Sequence, residues 1–362
     1  MAILLLPAFN YLTNSWEFKR KQENRTFKDS LIFDLKHLDP LPKNCEAYMN
    51  DNFTFRTPLL DIYHSIKFYL YKVSPHPDKT IIGKDGWYFS AGKEEESYEG
   101  KIDFSVKQLK EFASEWSKRK KYLDSMNIKT YWLICPMKHH IYAEKLPTYD
   151  MKEHKKPRVE KLKEYLNEKI PSLNIIYPRF ELIKAKAANS VYYKLDDHWN
   201  ETGGYIAANE LLSRIKLDFP QLLIKSYSDY VWRDSTFKRG IHYNVLGIAE
   251  LNENDKFAQL KNEMAVKAVK YGFPSPDYFP YPWDYERRYV NAMDTIGLRI
   301  LLIRDSFGDQ VAPFLKESFS ESVFIFDGWR YDLNKKIIEK VKPDIVIYMG
   351  LETHLEHIIT SY

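Results

Sequence analysis

The sequence has only two cysteines in 362 residues, Cys45 and Cys135, so a fold stapled by several disulfides is excluded. Cys135 lies in an apolar run and reads as a buried thiol; whether it pairs with Cys45 stays open. No Cys/His cluster has zinc-ligand spacing, and no metal or other cofactor is expected. His139-His140 and His354-x-x-His357 are weak metal candidates, since such pairs are more often surface or capping histidines. An excess of one charge is also missing. The 54 basic and 50 acidic residues leave a formal net charge of +4. A nucleic-acid binder would show a dense basic stripe, and there is none. The runs Lys118-Arg119-Lys120-Lys121 and Lys152 to Lys156 read as solvated helix faces or loops. Internal repeats and low-complexity stretches are absent. No apolar run reaches the ~20 residues that span a bilayer. Met1 to Phe9 (MAILLLPAF) is the candidate exception. It lacks a basic flank and a cleavage site, so it reads as a packed terminus or as the tail of a trimmed anchor or signal.

What is present begins with apolar residues, 44% of the chain, enough for a substantial core in one large domain or two modest ones. Aromatics are abundant, with 27 Tyr, 21 Phe and 8 Trp. Many must be core, and the excess fits flat rings stacking on sugar faces. Along the chain, strand and helix patterns alternate. Val106, Leu109, Phe112, Ala113, Trp116, Leu123 and Met126 recur at helical spacing within Phe104 to Met126. Thr130 to Cys135 then reads as a buried strand. Strands at Asn174 to Tyr177, Leu298 to Ile303, Ser322 to Phe326 and Asp344 to Met349 alternate with helices. One of these, Val311 to Phe319, is loosened by Pro313. The alternation predicts an α/β fold with a mostly parallel sheet flanked by helices. Thr80 to Ile82 and Trp87 to Phe89 predict a hairpin. Residues 1–75 form an entry segment, and 76–362 the main domain. Residues 220–295 break the alternation and read as an insertion. Its stretch Tyr271 to Tyr285 is rich in Pro and rings.

Two short stretches carry the chemistry. One is Lys194-Leu195-Asp196-Asp197-His198-Trp199-Asn200. The other is Arg304-Asp305-Ser306-Phe307-Gly308, directly after the apolar run Leu298 to Ile303. A hydroxyl is a poor nucleophile near neutral pH. It needs an imidazole to take its proton and a carboxylate to hold that imidazole. Ser306 at a strand-to-helix turn, with His198 and a carboxylate beside it, would meet that need. Asp196 and Asp197 are both within reach of His198. Taken alone, Ser306 could be a helix cap and Asp-x-His a metal pair.

These stretches resemble the SGNH-hydrolase-like (DHHW) family of the AlgX/AlgJ alginate O-acetylation type. Gln22 to Arg25, Asp51 to Arg56, Gly83-Lys84-Asp85-Gly86-Trp87-Tyr88-Phe89 and Cys135-Pro136-Met137-Lys138 resemble further family stretches. The resemblance spans about residues 20–350. It implies an SGNH-like catalytic domain whose triad is Ser306, His198 and Asp196, with Asp196 preferred because the family pattern is Asp-x-His-Trp. It implies an acetyl-serine intermediate and an exported polysaccharide as acceptor. The acetyl donor would be handed on by a membrane-bound O-acyltransferase, outside the cytoplasm, and Met1 to Phe9 would be an anchor remnant. Lys138, Arg330, Trp199, Tyr281 and Trp283 are the candidate substrate-binding residues, with Trp199 expected to pack the loop down. The usual SGNH Gly and Asn blocks are not evident, so a second oxyanion donor is unassigned. No sequence remains for the C-terminal carbohydrate-binding module of two-domain relatives. A carbohydrate acetylesterase would use the same triad, and a non-catalytic polysaccharide-binding scaffold would keep the same fold.

Overall fold

In the apolar strands alternate side chains point to opposite faces, and here both faces are covered. Tyr131, Leu133 and Cys135 join Ile300, Leu302, Phe324, Ile347 and Met349 in one core. Trp132 and Ile134 join Leu301, Ile303, Val323, Ile325, Val346 and Tyr348 in a second. That two-sided burial is why these segments read as unbroken apolar runs. The computed structural model describes residues 27, 28, 30, 39–53, 55–147, 156–268 and 272–360. Met1 to Phe9, Gln22 to Arg25, Lys152 to Lys155 and Tyr271 lie outside the described residues.

The described strands are β1 (Thr80–Ile82), β2 (Tyr88–Ser90), β3 (Lys129–Cys135), β4 (Asn174–Ile176), β5 (Tyr230–Phe237), β6 (Glu253–Leu260), β7 (Val266–Ala268), β8 (Glu286–Val290), β9 (Arg299–Arg304), β10 (Glu321–Phe326) and β11 (Ile345–Leu351). Seven of them form the central sheet, in the order β4-β3-β11-β9-β10-β8-β7. The pairings from β4 to β10 are parallel, and those of β8 and β7 are antiparallel. The fold is therefore the α/β, mainly parallel, helix-flanked sheet that the alternation predicts. β9 lies between β11 and β10, so the segment that precedes Ser306 is a central strand.

The Val106–Ser125 helix starts at a capping box in which Ser105 and Gln108 satisfy each other's backbone N–H groups. It covers the second core together with the Arg158–Lys169 and Lys335–Val341 helices. The Glu201–Asp218 helix covers the first core. Three expectations change. Val311 to Phe319 is not one helix but a single α turn at Ala312–Leu315, with Pro313 in its first turn, followed by a 3-10 turn at Lys316–Ser318. Residues 220–295 supply β5 to β8, two of which extend the main sheet while β5 and β6 form a separate antiparallel pair. β5 faces solvent at most positions, so it shows no apolar alternation. Arg119 is not a solvated lysine-run neighbour. It is buried, with Nε 2.8 Å from Glu115 and Nη1 donating to the Tyr331 carbonyl. Cys45 and Cys135 are both free thiols. Among the described residues no helix is long and apolar enough to cross a membrane.

Candidate active site

In a parallel sheet the C-terminal ends of the strands share one rim, and ligands bind in the crevices outside it. Ser306 stands at that rim, two residues beyond the end of β9. Asp305 fixes the turn. Its Oδ1 accepts from the Phe307 N–H at 3.0 Å, and its Oδ2 accepts from the Leu351 N–H at 2.7 Å and the Tyr331 hydroxyl at 3.1 Å. Ser306 itself is half-buried, and its backbone N–H has no acceptor among the described residues. A free N–H beside a nucleophile is what a developing oxyanion needs.

His198 arrives from a loop between Tyr192 and Asn200. The loop closes on itself through a bridge between Tyr192 and Trp199, and the Asn200 side chain caps the Glu201–Asp218 helix by accepting from the Gly203 N–H at 3.0 Å. Two contacts dock this loop on the nucleophile turn. Trp199 Nε1 donates to the Phe307 carbonyl at 2.9 Å. Gly204 lies against the Gln310 backbone, where an added Cβ would sit 2.2 Å from the Gln310 carbonyl oxygen. Gly204 is in the first turn of the Glu201–Asp218 helix that follows the loop, so any side chain there would push the start of that helix off the turn.

The result is a continuous hydrogen-bonded line. Asp196 Oδ1 lies 2.5 Å from His198 Nδ1, and His198 Nε2 lies 2.7 Å from Ser306 Oγ. The Phe307 ring packs on the imidazole, with centroids 4.6 Å apart. Asp196 Oδ1 also accepts from the His198 N–H, and Oδ2 from the Ile241 N–H at 3.0 Å. Burial alone would push the His198 imidazole down. The hydrogen bond and charge of Asp196, with Asp305 and Asp197 behind it, turn the net shift upward from the ordinary value. Burial alone would raise Asp196, but His198 holds it below the usual carboxylate range. The arrangement can deprotonate a hydroxyl and hold the imidazolium that results. Asp197, the other carboxylate in reach by sequence, turns away from His198. It accepts from the Ser90 hydroxyl and lies 3.0 Å from His242 Nε2.

A family model described as the SGNH hydrolase-like domain of the acetyltransferase AlgX matches residues 80–268, just over half of the chain. The chain belongs to this AlgX-type family. It is thus an SGNH-like enzyme of the acetyl-transferring kind. The match takes in Asp196 and His198, and Ser306 lies beyond it. Solved structures of similar fold include Bacillus cereus PatB1 with a sulfonyl adduct, 16% identical with a TM-score of 0.57, covering 78% of this chain and 96% of that one. A DHHW family protein from Eubacterium siraeum is 15% identical with a TM-score of 0.51, covering 77% of this chain and 95% of that one. The O-acetyltransferase domain of Pseudomonas putida AlgJ is 15% identical with a TM-score of 0.50, covering 76% and 92%. No curated protein matches the chain by sequence.

The other candidate residues of this AlgX-type chain fall in different places. Lys138 is buried, and its ammonium donates to the carbonyls of Tyr193, Lys194 and Asp196 at 3.2, 3.3 and 2.7 Å. With three donors on three carbonyls it holds the His198 loop and has none left for substrate. Trp199 is fully buried and packs the loop onto the nucleophile turn. Tyr281 and Trp283 are exposed and pack on each other at 5.9 Å, above Phe279 and the end of β10. Asp284 of the same loop lies 3.7 Å from Arg304, two residues before Ser306. The Arg330 guanidinium stacks on Tyr278 at 3.8 Å. The rings and Arg330 thus border the rim without touching Ser306 or His198 through any of these contacts.

Three partners of the site carry no signal in sequence. Ile241 meets Asp196 from 45 residues away. Glu253 of β6 accepts the N–H groups of Lys194 and Leu195. Ser90 of β2 meets Asp197, while the Tyr88 N–H donates to the Lys194 carbonyl, so the hairpin is a prop for the loop. Among the described residues no group of three or more metal-ligating side chains converges. His139 and His140 are not surface residues: both are buried, His139 against the Ser90 carbonyl at 2.9 Å and His140 against the buried Glu352 at 2.8 Å. A cleft of about 330 Å³ lined by Lys120, Lys129, Asn174 and Arg214 lies at the opposite end of β3 and β4 and has no nucleophile–base pair.

Proposed function

We propose that the chain is a polysaccharide O-acetyltransferase that carries acetyl on Ser306. The observation that carries this reading is the line Asp196–His198–Ser306, at the ligand-binding rim, in a chain of an acetyltransferase family. Ser306 Oγ attacks the acetyl carbonyl of the donor while His198 Nε2 takes its proton. Asp196 keeps the proton on Nδ1 and stabilises the imidazolium. The negative oxygen of the tetrahedral intermediate faces the Ser306 N–H. As the intermediate collapses, the donor's leaving group departs with the proton from His198. In the second half a sugar hydroxyl gives its proton to His198 and attacks the acetyl-serine, which restores Ser306.

The exposed rings of Tyr281 and Trp283, with Arg330 close by, form the acceptor platform, since sugars stack on ring faces and hydrogen-bond to guanidinium groups. The acceptor is an exported glycan outside the cytoplasm, and the donor is served by a membrane-bound O-acyltransferase. In this reading residues 76–362 are the catalytic domain, 220–295 its insertion, and 1–75 the entry segment.

The test is product analysis after mixing the protein with an activated acetyl ester and an oligosaccharide. O-acetylated oligosaccharide is the expected product. Free acetate as the only product would move the reading to an acetylesterase. Glycan binding with no turnover at all would leave a scaffold.

A further inference from the structure

The loop that presents His198 carries a second carboxylate–imidazole pair. Asp197 Oδ1 lies 3.0 Å from His242 Nε2, and the other His242 nitrogen lies 3.1 Å from Thr80 Oγ1. The His242 side chain is 1% exposed. This pair is built into a two-point clamp. Asp196 and Asp197 are consecutive, and so are Ile241 and His242. The Ile241 N–H holds Asp196 while the His242 ring holds Asp197, and the His242 N–H donates to the Leu195 carbonyl at 3.0 Å. The residue before them, Gly240, has φ +117° and lies so close that an added Cβ would sit 2.3 Å from the Leu195 carbonyl oxygen. Thr80 and Ser90 belong to β1 and β2, so the hairpin backs the clamp from behind.

We infer that Asp197 and His242 are positioning residues: they hold Asp196 against His198 and set the pH at which His198 gives up its proton. This rests on the reading of His198 as the base. The carboxylates facing His198 are Asp196, Asp305 and Asp197, and each favours the imidazolium. Around Asp197 stand His242, Lys138, His139 and Glu94. Burial alone would raise Asp197, but His242, Lys138 and Ser90 hold its carboxyl well below the usual range, so it is a fixed negative charge beside the base. Asp197→Asn keeps the side chain's size and removes that charge, which favours neutral His198. His242→Phe removes the ring nitrogens, leaves the Asp197 charge less compensated, and favours the imidazolium.

The experiment follows the His198 imidazole by NMR through a pH titration, in the full chain, alongside turnover of an activated acetyl ester. Asp197→Asn is expected to lower the His198 midpoint by roughly half a unit to one unit, and His242→Phe to raise it. The acidic limb of kcat/KM should move with the midpoint in each variant. In both, kcat should fall about tenfold from lost alignment, with KM nearly unchanged. Midpoints equal to wild type in both folded variants would overturn the inference. Should Asp197→Asn not fold, the His242→Phe midpoint decides alone. Ser306→Ala keeps the two claims apart: turnover that survives it overturns the acetyl-serine reading, while the NMR midpoints still judge Asp197 and His242.

Discussion

A carboxylate, an imidazole and a hydroxyl line up twice in this molecule, from neighbouring residues of one loop. Asp196, His198 and Ser306 are joined at 2.5 and 2.7 Å. Asp197, His242 and Thr80 are joined at 3.0 and 3.1 Å. The difference lies in access and surroundings. The His198 side chain is 31% exposed, whereas His242 and Thr80 are each 1% exposed. Ser306 sits at a strand-to-turn junction with an N–H free of acceptors among the described residues, while Thr80 begins a hairpin strand beneath the loop. Alignment of three side chains is therefore not enough for chemistry. A reacting carbonyl must reach the hydroxyl, and a donor must wait for the oxyanion.

The sharpest way to break the comparison is to remove each hydroxyl. Ser306→Ala should lower turnover of an activated acetyl ester by roughly 10³-fold or more. Thr80→Val should lower it at most about tenfold, through the prop beneath His242. Equal losses would mean that both lines are structural. A smaller effect than that of Ser306→Ala is expected from Asp196→Asn, about 10²- to 10³-fold in kcat, because the imidazole loses the partner that fixes its tautomer. Its pH profile gives the sign. His198 must be neutral to take a proton, so turnover rises with pH through a midpoint above the ordinary histidine value in the wild type. Without the Asp196 charge that limb moves to lower pH. The smallest effect falls on the loop shared by both lines. Lys138→Met strips the donor from the buried Tyr193 carbonyl and the half-buried carbonyls of Lys194 and Asp196, at about 1–3 kcal/mol for the buried group and less for the two that water can reach. Denaturant unfolding should show the loss, and turnover should fall less than in Asp196→Asn.

How much of this could be read from the residues alone depended on whether contacts were local. The central strands were legible because burial on both faces leaves unbroken apolar runs, as in Leu298 to Ile303. Asp196 and His198 were legible because they lie two residues apart, and Ser306 because it follows a strand. The choice between Asp196 and Asp197 was not, since sequence distance alone allows either to meet His198. It is decided by Ile241, His242 and Ser90, which the fold brings from 45 residues downstream and 107 upstream. Lys138 reads about equally as a plain surface lysine and as one that orients a substrate or the catalytic loop until β3 is placed beside the loop. β5 and β6 stayed hidden because an exposed ribbon needs no apolar period.

The central claim is that Ser306 becomes acetylated in turnover. Intact-mass measurement of the protein, mixed briefly with an activated acetyl ester at a pH where His198 is neutral and then quenched in acid, where the cationic imidazole slows deacetylation, tests it directly. The account predicts the added mass of one acetyl group, mapped by peptide analysis to Ser306 and absent from Ser306→Ala. Turnover that proceeds with Ser306 unmodified, or with the acetyl on another residue, would contradict it.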